Sequence, residues 1–281
     1  MDRWPIGVFT SLDAGLGAQL EVAKELGIST IQLYAPSKQK RTPAHNKELV
    51  QRLERLGIAL TAVFAGFESE SYADIPTVGR TVGLVPKETR APRLAEMIDI
   101  AKFTHELGCS VVGLHLGFVP HDPAEPLYTA VLDVTRKLCD YCRDKDLSLH
   151  LETGQEPAIV LLEFLKRVGR DNLFINFDPA NMILYGVGKP IEALEILGSY
   201  VRSVHCKDAK WAAHPRKEWG QEVPLGQGDV NIEAFLRTLD KIRYSGPLTI
   251  ERELSHDPVR QRAEISLAIG VLEQLKTKIL H

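Results

Sequence analysis

The sequence predicts an α/β protein whose parallel strands close into a single (β/α)8 barrel with outer helices, and three observations support this prediction. Eight short apolar runs alternate along the chain with eight longer segments of helical periodicity. The runs are apolar at successive positions, as expected for parallel strands that are covered on both faces. Eight such units with none left over favour a closed barrel over an open sheet.

The predicted strands are the short apolar runs. In chain order they occupy residues 6–9, 30–34, 59–65, 110–116, 148–152, 173–178, 201–207 and 248–251. The predicted helices occupy residues 14–26, 46–56, 92–107, 127–144, 157–168, 190–197, 232–242 and 258–278. Gly27, Gly57 and Gly108 follow the first three helices, where glycine is the usual left-handed stop. Three later helices begin with proline, whose missing N–H is not needed in a first turn.

The chain shows no low-complexity linker and no break in composition, so we expect residues 1–281 to form one domain. The longest irregular stretch, residues 66–91, follows the third strand and carries glycine, proline and polar residues. A loop of this length would lie over the mouth of the barrel and could act as a lid.

The composition is that of an ordinary globular protein and argues against several other classes. Hydrophobic residues make up 44% and charged residues 25% of the chain, which disfavours a disordered or fibrous protein. No apolar run reaches about 18 residues, so we expect no membrane span. The net charge of −3 disfavours, without excluding, a nucleic-acid-binding surface.

The sequence favours a cytoplasmic location. The amino-terminal segment MDRWPIGVFTS has no apolar signal core, so we do not expect secretion. Cys109, Cys139, Cys142 and Cys206 are scattered, and the C-x-x-C at 139–142 has no second pair that would complete a zinc site. We therefore expect partly buried thiols in a reducing compartment.

Four successive predicted strands, the fifth to the eighth, each carry an ionisable side chain at or near the carboxyl end: Glu152, Asp178, His205 and Glu251. Taken alone, each residue is also explained as a helix cap, a loop charge or a packed histidine. Together they would share one rim of the barrel, where three carboxylates repel one another unless a cation is bound. A ligand set of three carboxylates and one imidazole suits Mn²⁺, Mg²⁺ or Co²⁺, and Zn²⁺ is a further alternative. We expect the bound ion to be Mn²⁺.

The same residues resemble the xylose isomerase-like TIM-barrel superfamily, in the branch of sugar phosphate isomerases and epimerases. The matching motifs are LETG at Glu152, FDPAN at Asp178, VHCKD at His205 and TIERE at Glu251. Their order and spacing match the single-metal quartet of that superfamily, and the resemblance spans nearly the whole chain. A further G-x-G-D motif at residues 226–229 resembles the turn that precedes the seventh helix in that family.

The resemblance implies a divalent-metal-dependent isomerase or epimerase that acts on a keto-sugar or a related hydroxy-ketone. A carboxylate would remove the proton next to the carbonyl, and the ion would stabilise the resulting cis-enediolate. Return of the proton would give an epimer or an aldose–ketose isomer. We expect Glu152 and Glu251 to be the acid/base pair, because they flank the substrate from strands five and eight. Asp178 and His205 would mainly hold the ion.

Five further residues are predicted to contact the substrate. His115 ends the fourth strand and should face the mouth of the barrel, although it could be a packed polar residue. Lys207 could bind an oxyanion or pair with a carboxylate. Glu156 could contact the end of the substrate or favour a helix N-terminus. Asn181 could form a hydrogen bond to the substrate, and Arg216 could meet a substrate oxygen or be a solvated loop residue.

One departure from the family pattern leaves other reactions open. Asn181 stands three residues after Asp178, where the best-matching epimerases commonly carry a histidine. An amide cannot transfer a proton, so a dehydratase of a keto-polyol, of the inosose type, is an alternative.

Two alternative functions do not involve the turnover of a sugar. An endonuclease IV-like phosphodiesterase would need more histidines for its trinuclear site, and Asn181 and Asn231 stand where that branch has histidine. The other alternative is a barrel that binds a sugar without turning it over.

The oligomeric state is expected from the resemblance only, and that expectation is a homodimer.

Overall fold

Eight parallel strands hydrogen-bond in a closed ring in the computed structural model, which describes residues 3–12, 15–253 and 257–280. The barrel strands are β1 (Ile6–Ser11), β2 (Thr30–Tyr34), β3 (Ala59–Ala65), β4 (Val111–Leu114), β5 (Ser148–Glu152), β6 (Leu173–Phe177), β7 (Val201–Cys206) and β10 (Leu248–Ile250). The ring closes where β1 pairs with β10, with Ile6 opposite Leu248. This architecture is the predicted (β/α)8, or TIM, barrel.

The helices follow the strands in the chain. They are α1 (Leu20–Glu25), α2 (Pro43–Leu56), α3 (Ile75–Thr81), α4 (Lys87–Glu106), α5 (Pro126–Arg143), α6 (Ala158–Val168), α7 (Pro179–Leu184), α8 (Pro190–Leu197), α9 (Ile232–Lys241) and α10 (Pro258–Leu280). None of the helices in the described part of the chain is both long and apolar enough to cross a bilayer.

The first helix is shorter than predicted. It begins at Leu20, and residue 14 of the predicted range lies outside the described residues. Gly15 and Gly17 have φ angles of 73° and 62°, so the backbone there is left-handed and cannot be α-helical. A Cβ atom on Gly17 would lie 1.9 Å from the carbonyl oxygen of Phe9, which shows how closely this segment packs against β1.

Short elements occupy loops that were predicted to be irregular. Helix α3 and the first turn of α4 lie inside the 66–91 stretch, and Asp74 begins α3 by accepting a hydrogen bond from the Thr77 N–H at 2.6 Å. Helix α7 and the hairpin of β8 (Asp208–Lys210) and β9 (Gln221–Val223) were not predicted. Elements of three to seven residues are too short to be recognised from the periodicity of apolar residues.

The main apolar core lies between the strand ring and the helices. Phe177 at the end of β6 stacks on Phe235 of α9, with ring centroids 6.2 Å apart, and both side chains are fully buried. Burial of this apolar surface stabilises the fold by about 25 cal/mol per Å². The interior of the ring is more polar: Nδ1 of His150 on β5 lies 2.8 Å from Oγ of Ser203 on β7. Burial lowers the pKa of His150 to about 3, so this imidazole is neutral.

The four cysteines are free and buried. Burial raises the pKa of Cys109 to about 11 and that of Cys139 and of Cys142 to about 12. Cys139 and Cys142 lie on the inner face of α5 among core residues. These thiols therefore stay protonated and pack as small apolar side chains.

Candidate active site

Strand periodicity explains why Glu152 and His205 face the interior of the barrel. Side chains of a strand alternate between its two faces. His150 and Ser203 meet across the interior, so Glu152 and His205, two residues further along β5 and β7, point to the same side. Both lie at the carboxyl ends of their strands, which is the rim where barrels of this architecture carry out chemistry.

Asp178 directly follows β6 and Glu251 directly follows β10, so both reach the same rim. With Glu152 and His205 they form a set that we call the quartet. Nδ1 of His205 is 2.7 Å from Oε1 of Glu152, 3.0 Å from Oε2 of Glu251 and 3.7 Å from Oδ2 of Asp178. Four ligand atoms, one from each residue, lie within 4.8 Å of one another, and all four side chains are buried.

Unpartnered polar atoms indicate that the quartet fits a divalent cation. Oε1 of Glu152, Oδ2 of Asp178 and Nδ1 of His205 are buried and have no hydrogen-bond partner of acceptable geometry. Leaving such an atom unsatisfied costs about 1–3 kcal/mol, and more if it is charged. A mostly oxygen donor set with one imidazole matches the preference of divalent ions such as Mn²⁺ or Mg²⁺.

The electrostatics of the quartet favour positive charge at its centre. Burial opposes the imidazolium form of His205, but the carboxylates of Glu251 and Glu152 outweigh burial and raise the pKa of His205 well above its ordinary value. Burial likewise opposes the anionic form of Glu251, but Lys207 and His205 lower its pKa overall. A field that stabilises a proton on His205 would also attract a metal cation.

A helix cap orients the carboxylate of Asp178. Its Oδ1 accepts hydrogen bonds from the N–H groups of Ala180 at 2.8 Å and Asn181 at 3.0 Å, at the start of α7. The hydroxyl of Thr153, just after β5, accepts from the Asp178 N–H at 2.8 Å. These bonds hold Oδ1 against the backbone, so that Oδ2 remains for the centre of the quartet.

The second nitrogen of His205 is held by a side chain that the sequence analysis missed. Nε2 of His205 lies 2.7 Å from Oε1 of Gln32 on β2, and Nε2 of Gln32 donates to Oδ1 of Asn176 on β6 at 3.3 Å. Because Oε1 can only accept, His205 carries a proton on Nε2 and directs Nδ1 to the quartet. The sequence signal for these two residues is a side-chain amide inside an apolar strand, Gln32 in TIQLY and Asn176 in LFINF.

Lys207 is paired with carboxylates. Its Nζ donates to Oε2 of Glu251 at 3.2 Å and to Oε1 of Glu253, and it lies 4.0 Å from Oδ2 of Asp178. Burial disfavours the ammonium form, but Glu251 and Glu253 outweigh it and raise the pKa of Lys207 well above its ordinary value. Of the two interpretations that the sequence left open, this geometry matches pairing with a carboxylate.

The predicted substrate contacts divide into two groups. His115 and Asn181 line a cavity of about 510 Å³ above the quartet, and Nε2 of His115 is 3.1 Å from Oε2 of Glu152. Glu156 and Arg216 do not line it. Glu156 is buried, accepts a hydrogen bond from the Val119 N–H at 2.7 Å, and has its pKa raised to about 8 by burial. Arg216 is exposed, so a substrate role for these two stays a prediction.

The walls of the cavity combine aromatic rings with carboxylates. The aromatic members are Phe9, Tyr34, Phe64, Tyr72, Tyr185 and Trp219. The carboxylates are Glu70, Glu152, Glu222, Glu251 and Glu253. Most of these side chains lie in loops, and the sequence analysis identified only the two quartet glutamates among the carboxylates. Apolar ring faces beside polar groups suit a small molecule that has both C–H faces and hydroxyl groups.

The loop after β3 reaches the cavity, as the predicted lid position requires. Oε2 of Glu70 accepts from the Phe67 N–H at 3.0 Å, and Oε1 accepts from the Gly83 N–H at 2.7 Å. Arg93 of α4 donates to the Gly83 carbonyl at 2.8 Å. Glu70 therefore ties the two ends of this loop together while it contributes to the cavity wall, and burial raises its pKa. Movement of the loop stays a prediction.

Comparisons with known proteins support the architecture. The crystal structure of a xylose isomerase domain protein from Planctomyces limnophilus is 54% identical, covers 99% of both chains and superposes with a TM-score of 0.97. The crystal structure of a D-tagatose 3-epimerase-like protein is 20% identical, covers 98% of this chain and 99% of the other, and has a TM-score of 0.72. The latter likeness shows a shared fold.

Sequence comparisons agree with this result. The uncharacterized protein MJ1311 of Methanocaldococcus jannaschii is 25% identical over 178 residues, which are 58% of this chain and 58% of that relative. The chain thus matches less than two thirds of that protein's length. The family model described as xylose isomerase-like TIM barrel matches residues 20–274, which is most of the chain. The chain therefore belongs to the xylose isomerase-like TIM barrel family.

Proposed function

We propose that the protein is a divalent-metal-dependent isomerase or epimerase that acts on a keto-sugar or a related hydroxy-ketone. The observation that carries the proposal is the quartet, whose ligand atoms lie within 4.8 Å of one another. Glu152 and Glu251 also line the cavity, so a bound molecule would meet two carboxylates and the cation site together. The fold shared with a D-tagatose 3-epimerase-like protein supports this reaction class.

The proposed cofactor is Mn²⁺, with Mg²⁺, Co²⁺ and Zn²⁺ as alternatives. Glu152, Asp178, His205 and Glu251 would hold the ion, because their unpartnered atoms converge there. When bound, such an ion polarises a substrate carbonyl and its neighbouring hydroxyl.

Glu152 and Glu251 are the proposed acid/base pair. Oε2 of Glu152 is 3.1 Å from Nε2 of His115, and Oε2 of Glu251 accepts from Nζ of Lys207 at 3.2 Å. These contacts hold the two carboxylates in place at the cavity wall, which both glutamates line. One glutamate removes the proton from the carbon beside the carbonyl. Return of a proton to the opposite face gives an epimer, and return to the neighbouring carbon gives an isomer.

Other residues would bind and orient the substrate. The aromatic rings pack against C–H faces, while Asn181 and His115 provide hydrogen-bonding groups beside the quartet. Asn181 cannot move a proton, so in this proposal it only orients a hydroxyl or carbonyl oxygen.

A cytoplasmic location is part of the proposal. The four cysteines are free and buried, as in proteins that work in a reducing compartment.

Solvent deuterium exchange tests the proposed reaction. The protein is stripped of metal, reloaded with Mn²⁺, and incubated in D₂O with a panel of free ketohexoses, and deuterium beside the carbonyl is measured by NMR. We expect metal-dependent exchange that falls by about 10²–10⁴-fold in Glu152→Gln, because a positioned base is lost. Exposed Glu48→Gln on α2 is the matched control and should retain full activity.

Two outcomes would count against this proposal. Loss of water from the substrate instead of exchange would favour a dehydratase. Full activity in Glu152→Gln would remove that residue from the acid/base pair.

A further inference from the structure

Two positively charged side chains beside the cavity wall, Lys207 and Arg252, are already paired with carboxylates. Lys207 donates to Glu251 and Glu253. Arg252 is buried and donates to Oε1 of Glu222 and to Oε2 of Glu264, each at 2.6 Å. An anionic group on a substrate would therefore have to compete with a carboxylate of the protein for each of these cations.

The cavity wall carries negative charge and, within the described residues, no lysine or arginine. Glu222 and Glu253 line it, and the side chain of Glu253 is half-exposed. Glu70 lies on the wall that the loop after β3 provides. A phosphate or carboxylate group in this part of the cavity would lie beside side chains of like charge, which disfavours binding.

The glycine-rich turn after the β8–β9 hairpin supplies an independent observation. Barrels of this architecture frequently bind phosphate with backbone N–H groups of the loops after the seventh and eighth strands. Here Oδ2 of Asp208 accepts from the N–H groups of Gly226 at 3.0 Å and Gly228 at 2.9 Å, and Oδ1 accepts from Val230 at 3.2 Å. The carboxylate of Asp208 is buried and thus occupies the position of an anion in this turn.

The backbone N–H groups in the first turn of α7 also bind a carboxylate of the protein itself. Its N–H groups at Ala180 and Asn181 both donate to Oδ1 of Asp178. A helix N-terminus is a common anion site, but these two donors at the rim already have a carboxylate partner.

From these contacts we propose that the cavity selects substrates without a negatively charged end group, and that Glu222 and Glu253 are the residues that discriminate against sugar phosphates and keto acids. This inference rests on the proposed function for the identity of the site, since it assigns the charge of the molecule that the quartet and its cavity accept. It narrows the substrate class to uncharged polyhydroxy ketones and polyols.

Matched pairs of ligands test the inference directly. The four free D-ketohexoses and their 6-phosphates are titrated into Mn²⁺-reloaded protein by calorimetry, and the same eight compounds are used for deuterium exchange. We expect at least one free sugar to bind, and its 6-phosphate to bind at least about tenfold more weakly. Equal or tighter binding of the phosphate overturns the inference, and so does the absence of binding by all four free sugars.

The binding and exchange measurements separate this inference from the proposed reaction. A free sugar that binds without exchanging a proton would contradict the proposed reaction and leave the charge selectivity intact. Exchange that is confined to the phosphates would support proton transfer and overturn the selectivity.

Single substitutions test the role of Glu253. Glu253→Gln removes one negative charge and releases one partner of Lys207, so the preference for a free sugar over its phosphate should fall on the order of tenfold. Glu192→Gln on α8, which removes an exposed carboxylate that pairs with Lys189, should leave the preference unchanged. An equal preference in wild-type protein and Glu253→Gln would overturn the assignment of Glu253.

Discussion

At the scale of single residues, the side-chain amide of Gln32 orients His205 of the quartet. Gln32 lies on β2, far from the quartet in the chain, yet its Oε1 is 2.7 Å from Nε2 of His205. Its own amide nitrogen is held by Asn176, which fixes the orientation of the Oε1 acceptor. Residues that orient a metal-binding histidine commonly change metal affinity by 10–100-fold when replaced.

We therefore predict that Gln32→Leu weakens Mn²⁺ binding by about 10–100-fold, as measured by calorimetry. Leucine has a similar size but accepts no hydrogen bond, so His205 loses the contact that fixes its tautomer. Gln32→Glu keeps an acceptor and should restore most of the affinity, whereas a purely structural role would not distinguish the two variants. Gln51→Leu on the exposed side of α2 is the control. Unchanged affinity in Gln32→Leu would contradict the assignment.

At the scale of elements, Glu156 joins two segments that follow neighbouring barrel strands. Its carboxyl group precedes α6 and accepts from the Val119 N–H in the segment after β4. Burial raises its pKa to about 8, so the folded protein keeps a proton on Glu156 that the unfolded chain releases above its ordinary pKa of 4.5. The stability that this group contributes is fully present below pH 4.5 and is lost as the pH rises toward 8.

This linkage predicts that Glu156→Gln reduces the loss of stability between pH 5 and pH 9. The difference in the free energy of unfolding should be on the order of a few kcal/mol at pH 9 and small at pH 5. Urea unfolding at both pH values measures it. Exposed Glu163→Gln on α6 should follow the wild-type protein. Parallel curves for wild-type protein and Glu156→Gln would show that the carboxyl group is ionised in the folded state.

Loops account for most of what the sequence analysis missed at this scale. Glu70 reaches the cavity because its carboxylate binds the N–H groups of Phe67 and Gly83, a contact that no local pattern encodes. Glu222 reaches it because the β8–β9 hairpin folds over the rim. Their positions depend on tertiary packing, whereas strand ends follow from the alternation of side chains within each strand.

At the scale of the whole molecule, the predicted barrel and the order of the quartet could be derived from the sequence, because eight apolar runs fix which residues end the strands. Asp178 follows β6 and Glu251 follows β10, and the pairing of both strands with β7 brings the two carboxylates to the same rim. The exact beginning of α1 could not be derived, because Gly15 and Gly17 adopt left-handed conformations that the helical pattern around them did not indicate.

The convergence of three carboxylates predicts a link between metal binding and global stability. Mn²⁺ that binds only the folded protein should raise the melting temperature in a concentration-dependent manner, with about 2.7 kcal/mol of stabilisation at 100 times Kd. Scanning calorimetry with EDTA and with Mn²⁺ measures the effect. Asp178→Asn should lose most of the response, while exposed Glu195→Gln on α8 should keep it. A melting temperature that does not change when Mn²⁺ is added would contradict a metal site at the quartet.

The pairing of β1 with β10 has a consequence for synthesis on the ribosome. Residues 6–8 need residues 248–250 as hydrogen-bonding neighbours, so one edge of the nascent sheet stays open until residue 250 has been translated. Open strand edges pair readily with other chains. During that interval the emerging protein is exposed to aggregation, and the quartet is incomplete because Glu251 directly follows β10.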